Sequence, residues 1–168
     1  SKMVQIELDS TTFKVKSIKN LWNKSVDKSK NQKNWPGFFY EGKLHFEYYI
    51  VPHIILGNSK EKKKDIYFEQ IHETEPVNLP DFEEGTKVRG GACPILIDKD
   101  TYLSCGHTFP YYNPVFYTFE AKPPFKLKGM SLNFKYHNQC FRHYHFAAGI
   151  IRTAKNKIMV SYGPSDCH

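Results

Sequence analysis

The chain has 168 residues and a net charge of +7, with 40% hydrophobic residues, 13 Phe and 11 Tyr. That length fits one domain with a real core, and the composition excludes a disordered or collagen-like chain. The aromatic load favours strands, and no window approaches the roughly 18 apolar residues a membrane helix needs.

The first predicted elements are two alternating strands within Ile6–Ile18, joined by a tight connection ahead of Phe13. Period-two alternation marks strands with one buried face. Asn20–Lys33 is the one candidate helix, but its lysine-rich, polar content reads as a loop. Within it, Asn23-Lys24-Ser25 is a glycosylation sequon. No signal peptide is visible at the start; an extracellular setting is weakly favoured and no compartment is fixed. A hairpin follows over Trp35–Val51, turning at Glu41-Gly42, and then a lysine-rich segment around Lys60–Lys64 reads as a solvated loop. Asp65–Ile71 is a further strand, whose partner falls around Pro76–Phe82. The lysines would also attract acidic glycans. No nucleic-acid motif accompanies them, so nucleic acid is not an expected partner.

Val88–Phe109 reads as a second hairpin, with Arg89-Gly90-Gly91 at one end and Gly106-His107 at the other. Cys93 and Cys105 each lie six residues from the turn centre at Lys99. An unbroken antiparallel register would set them opposite one another, as a disulfide or as two buried thiols. Phe119–Met130 is again strand, tight connection and strand. A third hairpin occupies His145–Gly163.

These hairpins repeat. The first apolar residue after each turn is Leu44, Tyr102 and Ile158, spaced by 58 and 56 residues, and Phe13 and Phe125 lie 112 apart. An inner hairpin followed by an outer strand pair, in about 57 residues, is the blade of a β-propeller. The expected fold is therefore all-β, a single propeller-like domain of four-stranded antiparallel blades over 1–168. Residues 1–19 would form outer strands of one blade, 35–82 and 89–131 two blades, and 143–163 the inner hairpin of another. A β-sandwich with coincidental spacing is the alternative. The chain supplies about three blades where propellers have four to eight, so association with other chains to complete a ring is a further expectation.

Lys33-Asn34-Trp35, Pro52-His53, Arg89-Gly90-Gly91, Pro123-Pro124-Phe125 and Ser161-Tyr162-Gly163-Pro164-Ser165-Asp166 occur in one order. That set resembles a group of glycan-active five-bladed propellers, distantly similar to mannoside phosphorylases and β-mannosidases. The resemblance implies a sugar site in the central funnel, with glycan or sugar phosphate as partner. It implies that Asp166, in the Tyr-Gly-x-x-Asp motif, contacts the sugar and that Arg89 meets an anionic group, while the general-acid Asp of those enzymes has no match here; Asp166 is then the candidate catalytic carboxylate.

Residue chemistry reaches part of the same site. Hydrolysis of a glycoside usually needs two carboxyl groups, and Asp166 is the one carboxylate expected at an inner-hairpin end. Glu47 falls mid-strand, and Asp81, Glu83 and Glu84 lie in a connector leading to Arg89. Arg89 suits a two-pronged contact with carboxylate or phosphate. Trp35 and Tyr162 offer faces for a sugar to stack on, and Asn34 and His107 suit hydroxyl groups. The cluster His137–His145 contains Cys140 and several His, but it lacks the paired knuckles of a zinc site; neither a metal nor a cofactor is expected. An enzyme, a lectin-like binder and a structural module all remain open.

Overall fold

The structure is a computed structural model, and the residues it describes are 2–31, 33–75, 82, 84–110, 112–131 and 145–164. It is all-β, with 0% helix and 64% strand, and its sheets curl into half-barrels.

β1 (Met3–Leu8) and β2 (Val15–Asn23) form the first hairpin. The next four strands run as an antiparallel meander: β3 (Gly37–Tyr40), β4 (Lys43–Tyr49), β5 (His53–Lys62) and β6 (Asp65–Thr74). The β3–β4 turn works because Glu41 and Gly42 both take positive φ, 48° and 72°, the geometry that matches the twist of a two-residue hairpin. β2 joins this meander by parallel pairing with β6, giving a six-stranded sheet in the order β1-β2-β6-β5-β4-β3. The N-terminal strands thus extend the sheet of the following strands, where the repeat alone assigned 1–19 to a separate blade.

The second sheet contains β7 (Lys87–Arg89), β8 (Ile95–Asp98), β9 (Thr101–Phe109), β10 (Pro114–Glu120) and β11 (Leu127–Met130). Both β7 and β8 pair with the same edge of β9, one at each end, while β10 pairs with its other edge. β12 (His145–Ala154) and β13 (Lys157–Pro164) form a two-stranded third sheet.

Two expectations for the strands change. The partner of β6 is β5, which precedes it, and the lysine run is the end of that strand and its turn. Lysine content hid the strand: Lys60–Lys62 pair with Asp65–Tyr67 although they are exposed. Residues 76–81, expected to hold the partner, lie outside the described residues. Asn20–Asn23, at the head of the candidate helix, ends β2. The sequon Asn23 is 4% exposed, and its side-chain oxygen accepts the Ser25 N–H at 2.9 Å, so it is not presented for glycosylation.

The sheets stack as successive layers. Phe38, Ile50 and Ile55 of the first sheet pack with Val88, Tyr102, Tyr117, Phe119, Phe125 and Leu127 of the second. The opposite face of the second sheet, through Ala92, Cys105, Ile95 and Leu103, packs on Ala147, Ile150 and Val160 of the third. On its far side the first sheet buries Leu21, Trp35, Phe46, Leu56, Ile66 and Phe68. The first two layers are also tied by a polar network. Glu47 is fully buried; its carboxyl meets His53 Nε2 at 3.0 Å and accepts the Tyr117 hydroxyl at 3.1 Å. His53 Nδ1–H donates to the Phe125 carbonyl at 2.6 Å. Within this network each buried polar group therefore has a partner, which burial demands. Burial raises the Glu47 carboxyl above its ordinary range, opposed by the His53 and Tyr117 contacts.

Candidate functional site

The junction of the first two sheets places Lys33-Asn34-Trp35 beside Lys87, Val88 and Arg89. The segment before β3 turns sharply at Asn34, whose φ of 59° lies in the left-handed region that Asn tolerates better than most residues. Gly90 makes the approach possible: a Cβ there would stand 2.5 Å from Pro36 Cδ and 2.8 Å from the Asn34 carbonyl oxygen. Gly106 has the same role one strand across, where a Cβ would fall 2.2 Å from the Arg89 carbonyl oxygen. The crowding that two of these glycines relieve is therefore protein against protein, and it brings Arg89 to the rim of the first sheet.

A cavity of about 700 Å³ opens at this junction, and its walls include Lys33, Asn34, Trp35, Tyr48, Tyr49, Lys87 and Arg89. Trp35 is a wall more than a platform, since it is 5% exposed and its ring packs tilted against Phe46 and edge-on against Tyr48, with centroids at 5.8 and 5.5 Å. Tyr49 is the open aromatic surface, 49% exposed, braced edge-on by Tyr48 at 4.8 Å. The guanidinium of Arg89 rests 4.1 Å above the Phe109 ring, a cation–π contact that holds it without neutralising it. Among the described residues no carboxylate lines the cavity, and none pairs with Lys33, Lys87 or Arg89. Its field is thus positive, and it suits an anionic group.

His107 stands directly across β7–β9 from Arg89, so the two side chains share a face. It is 1% exposed and stacked on Tyr112, with ring centroids 5.1 Å apart and 6° between planes. Phe146 of β12 closes the other side at 5.0 Å. Burial, then the charges of Arg89 and Lys33, push its pKa down from 6.5 to about 4, and its Nδ1 has no hydrogen-bond partner. It is a neutral imidazole behind Arg89, not a residue of the cavity surface.

Three of the residues singled out from sequence, Asn34, Trp35 and Arg89, therefore line one cavity, and His107 lies against it. Tyr162 does not line it; it sits half-buried on β13 opposite Ala147. The Ala147 carbonyl is the atom a Cβ on Gly91 would meet at 2.7 Å, so Tyr162 belongs to the neighbouring layer. Asp166 lies outside the described residues, as do Asp81, Glu83, Cys140, Cys167 and the cluster from His137 to Tyr144. Glu84 is exposed. Among the described residues no group of three or more His, Cys, Asp and Glu is arranged to hold a metal.

Lys33, Lys87, Tyr48 and Tyr49 were not singled out from sequence. Lys33 sits beside the Asn34-Trp35 pair that drew notice, and the aromatic pair ends a strand whose apolar alternation already marked it. Lys87 carried no signal before the fold put it at the junction.

The cysteine geometry differs from an unbroken hairpin. β8 pairing stops at Ile95, the register shifts between Leu96 and Asp98, and it is the Ala92 N–H that bonds the Cys105 carbonyl at 2.9 Å. Cys105 is buried and Cys93 exposed, and both are free thiols. Burial pushes the Cys105 thiol up to about 12.

A second hollow of about 770 Å³ lies by the first sheet, between β1 and β3–β6, lined in part by Gln5, Phe39, Lys43 and Phe68. None of the sequence candidates borders it. Among the described residues no helix is long and apolar enough to cross a membrane, which leaves strand-built spans untouched. No family model, curated protein or solved structure matches the chain.

Proposed function

We propose that the chain is a carbohydrate-binding module of propeller-type blades, taking a glycan or sugar phosphate with an anionic group in the cavity between β4 and β7. The observation that carries this reading is the cavity's chemistry: three cations, an exposed tyrosine, two Asn residues and, among the described residues, no carboxylate. An aromatic face with polar groups at its edge suits a sugar ring, and a guanidinium together with two ammonium groups suits phosphate or carboxylate. The blade reading is supported by the two antiparallel meanders, β3–β6 and β8–β11, whose first strands start 58 residues apart at Gly37 and Ile95. The β12–β13 hairpin repeats their first two strands.

The same cations favour one catalytic reading over another. Hydrolysis calls for two carboxyl groups, and the described residues of the cavity supply none. Phosphorolysis uses phosphate as the nucleophile and needs cationic groups with a single acid; Asp166 is our candidate for that acid, since the general-acid Asp of the similar enzymes has no match in this chain.

A glycan array and a phosphorolysis assay, run on the wild type, Arg89→Ala, Tyr49→Ala and Asp166→Ala, test both. A hydrogen bond to a charged group contributes about 1.5–3 kcal/mol, so Arg89→Ala should weaken an anionic glycan roughly ten- to a hundred-fold. Asp166→Ala should abolish turnover and weaken sugar binding. An unchanged glycan profile in Arg89→Ala, or no glycan response in the wild type, refutes the site.

A further inference from the structure

The β1–β2 hairpin shows an apolar face to solvent, and the fold contains a second copy of that face with its partner in place. The β1–β2 and β10–β11 connections are built alike. Asp9 N–H bonds the Lys14 carbonyl at 2.8 Å, and Glu120 N–H bonds the Lys126 carbonyl at 2.9 Å. In each hairpin the register shifts one step earlier, between Glu7 and Leu8 and between Thr118 and Phe119. Each connection ends on a Phe with positive φ, 55° at Phe13 and 59° at Phe125, followed by Lys and an aliphatic residue.

This correspondence aligns Ile6, Leu8, Phe13 and Val15 with Tyr117, Phe119, Phe125 and Leu127. The second set is 1%, 0%, 0% and 3% exposed; the first is 53%, 48%, 74% and 58% exposed. Equivalent positions are thus core in one hairpin and bare in the other. An apolar surface of this extent on a strand pair marks a contact site. What covers the second set is the Phe38/His45 pair of β3–β4. Phe125 lies 5.3 and 5.7 Å from those two rings, and Phe119 lies 5.6 Å from Phe38.

The counterpart of that pair on the last hairpin is free. Leu44 and Ile158 are the matching first apolar residues after their turns, so His45 corresponds to Met159. Met159 pairs across β12–β13 with Ile151. Ile150 and Val160 face the second sheet, which turns Ile151 and Met159 outward, 56% and 58% exposed. One chain therefore carries both halves of a contact that it has already made once internally.

We propose that the bare face of β1–β2 docks on the outward face of β12–β13 of a second copy of this chain, head to tail, with Phe13 seated on Ile151 and Met159. The two surfaces differ, so the contact is heterologous and each dimer keeps one free end. Lys16 beside the first face is paired with Asp9 at 3.1 Å, so the contact is carried by its apolar residues.

The test is sedimentation velocity over a concentration series, in reductant so that exposed Cys93 cannot cross-link. Wild type, Phe13→Asp, Met159→Asp and an equimolar mixture of the two variants are compared, with circular dichroism confirming strand content. Ile151→Asp replaces Met159→Asp if the latter fails to fold. The wild type should gain mass with concentration, each variant alone should stay monomeric, and the mixture should form a dimer, because each variant retains one intact face. A wild type monomeric throughout, a Phe13→Asp chain that still self-associates, or a mixture that stays monomeric overturns the proposal.

Discussion

Acid should destabilise the fold around β9 through one side chain, His107. In the unfolded chain its imidazole takes up a proton as pH falls through 6.5; in the fold it resists until about 4. A base whose folded pKa is depressed contributes stability that is present above 6.5 and lost as pH falls to about 4, below which the loss is complete. At about 1.4 kcal/mol for each pH unit, the window corresponds to about 3 kcal/mol. The cause is visible in the fold: the ring lies between Tyr112 and Phe146, faces the charge of Arg89, and leaves Nδ1 without a partner. Urea unfolding from pH 7 to pH 3.5, on the wild type and His107→Phe, isolates the effect. The difference between the two curves cancels the carboxylates they share. The wild type should lose about 3 kcal/mol relative to the variant across the window, and Arg89→Met should make the loss smaller, starting at the same pH and ending at a higher one. Parallel curves for the wild type and His107→Phe would refute the argument.

Three further outcomes follow from the packing. Tyr117→Phe strips a donor from the buried Glu47 carboxyl and should cost about 1–3 kcal/mol in urea unfolding, whereas Tyr67→Phe, at a partly exposed hydroxyl, should cost little. Gly106→Ala should fail to fold, because its Cβ would overlap the Arg89 carbonyl, while Gly163→Ala meets nothing within 4 Å and should express and melt normally. Cys93 should react with a thiol reagent in the native state, and Cys105, buried with its thiol pushed up to about 12, should react only on unfolding; equal labelling rates would contradict the assigned burial.

Much of the all-β architecture was legible because local chemistry and packing agree. The Glu41-Gly42 turn, the alternation in β4 and β10, and the 56–58 residue spacing each point to strands where strands are found. β5 escaped because its second half owes nothing to burial: Lys60 and Lys62 hold the ladder by backbone bonds alone, after a register shift at Gly57. The attachment of β2 to β6 was equally hidden. Parallel pairing joins segments more than 40 residues apart, and no periodicity within either strand records its neighbour. The cysteines show how a register argument fails locally. Their symmetric spacing about Lys99 is real, but the shift between Leu96 and Asp98 and the early end of β8 separate them.

The site divides along a similar line. Asn34, Trp35 and Arg89 stood out because unusual residues sit at hairpin ends, and they converge because Gly90 lets two sheet edges approach. Lys87 and Tyr49 are ordinary in sequence and acquire meaning only from that approach. Glu47 makes the opposite point. Its place in a strand with inward neighbours located it in the core, but a carboxyl can lie there only if other chain segments supply partners. Those are His53, six residues on, and Tyr117, seventy residues away. Phe13 and Phe125 complete the lesson: the same turn, the same positive φ and the same following lysine leave one ring bare and the other wholly buried. A sequence records what a face is made of, and the chain's neighbours decide whether it is covered. The β1–β2 face is built as core, so its bare state is the feature of this fold that most requires a partner.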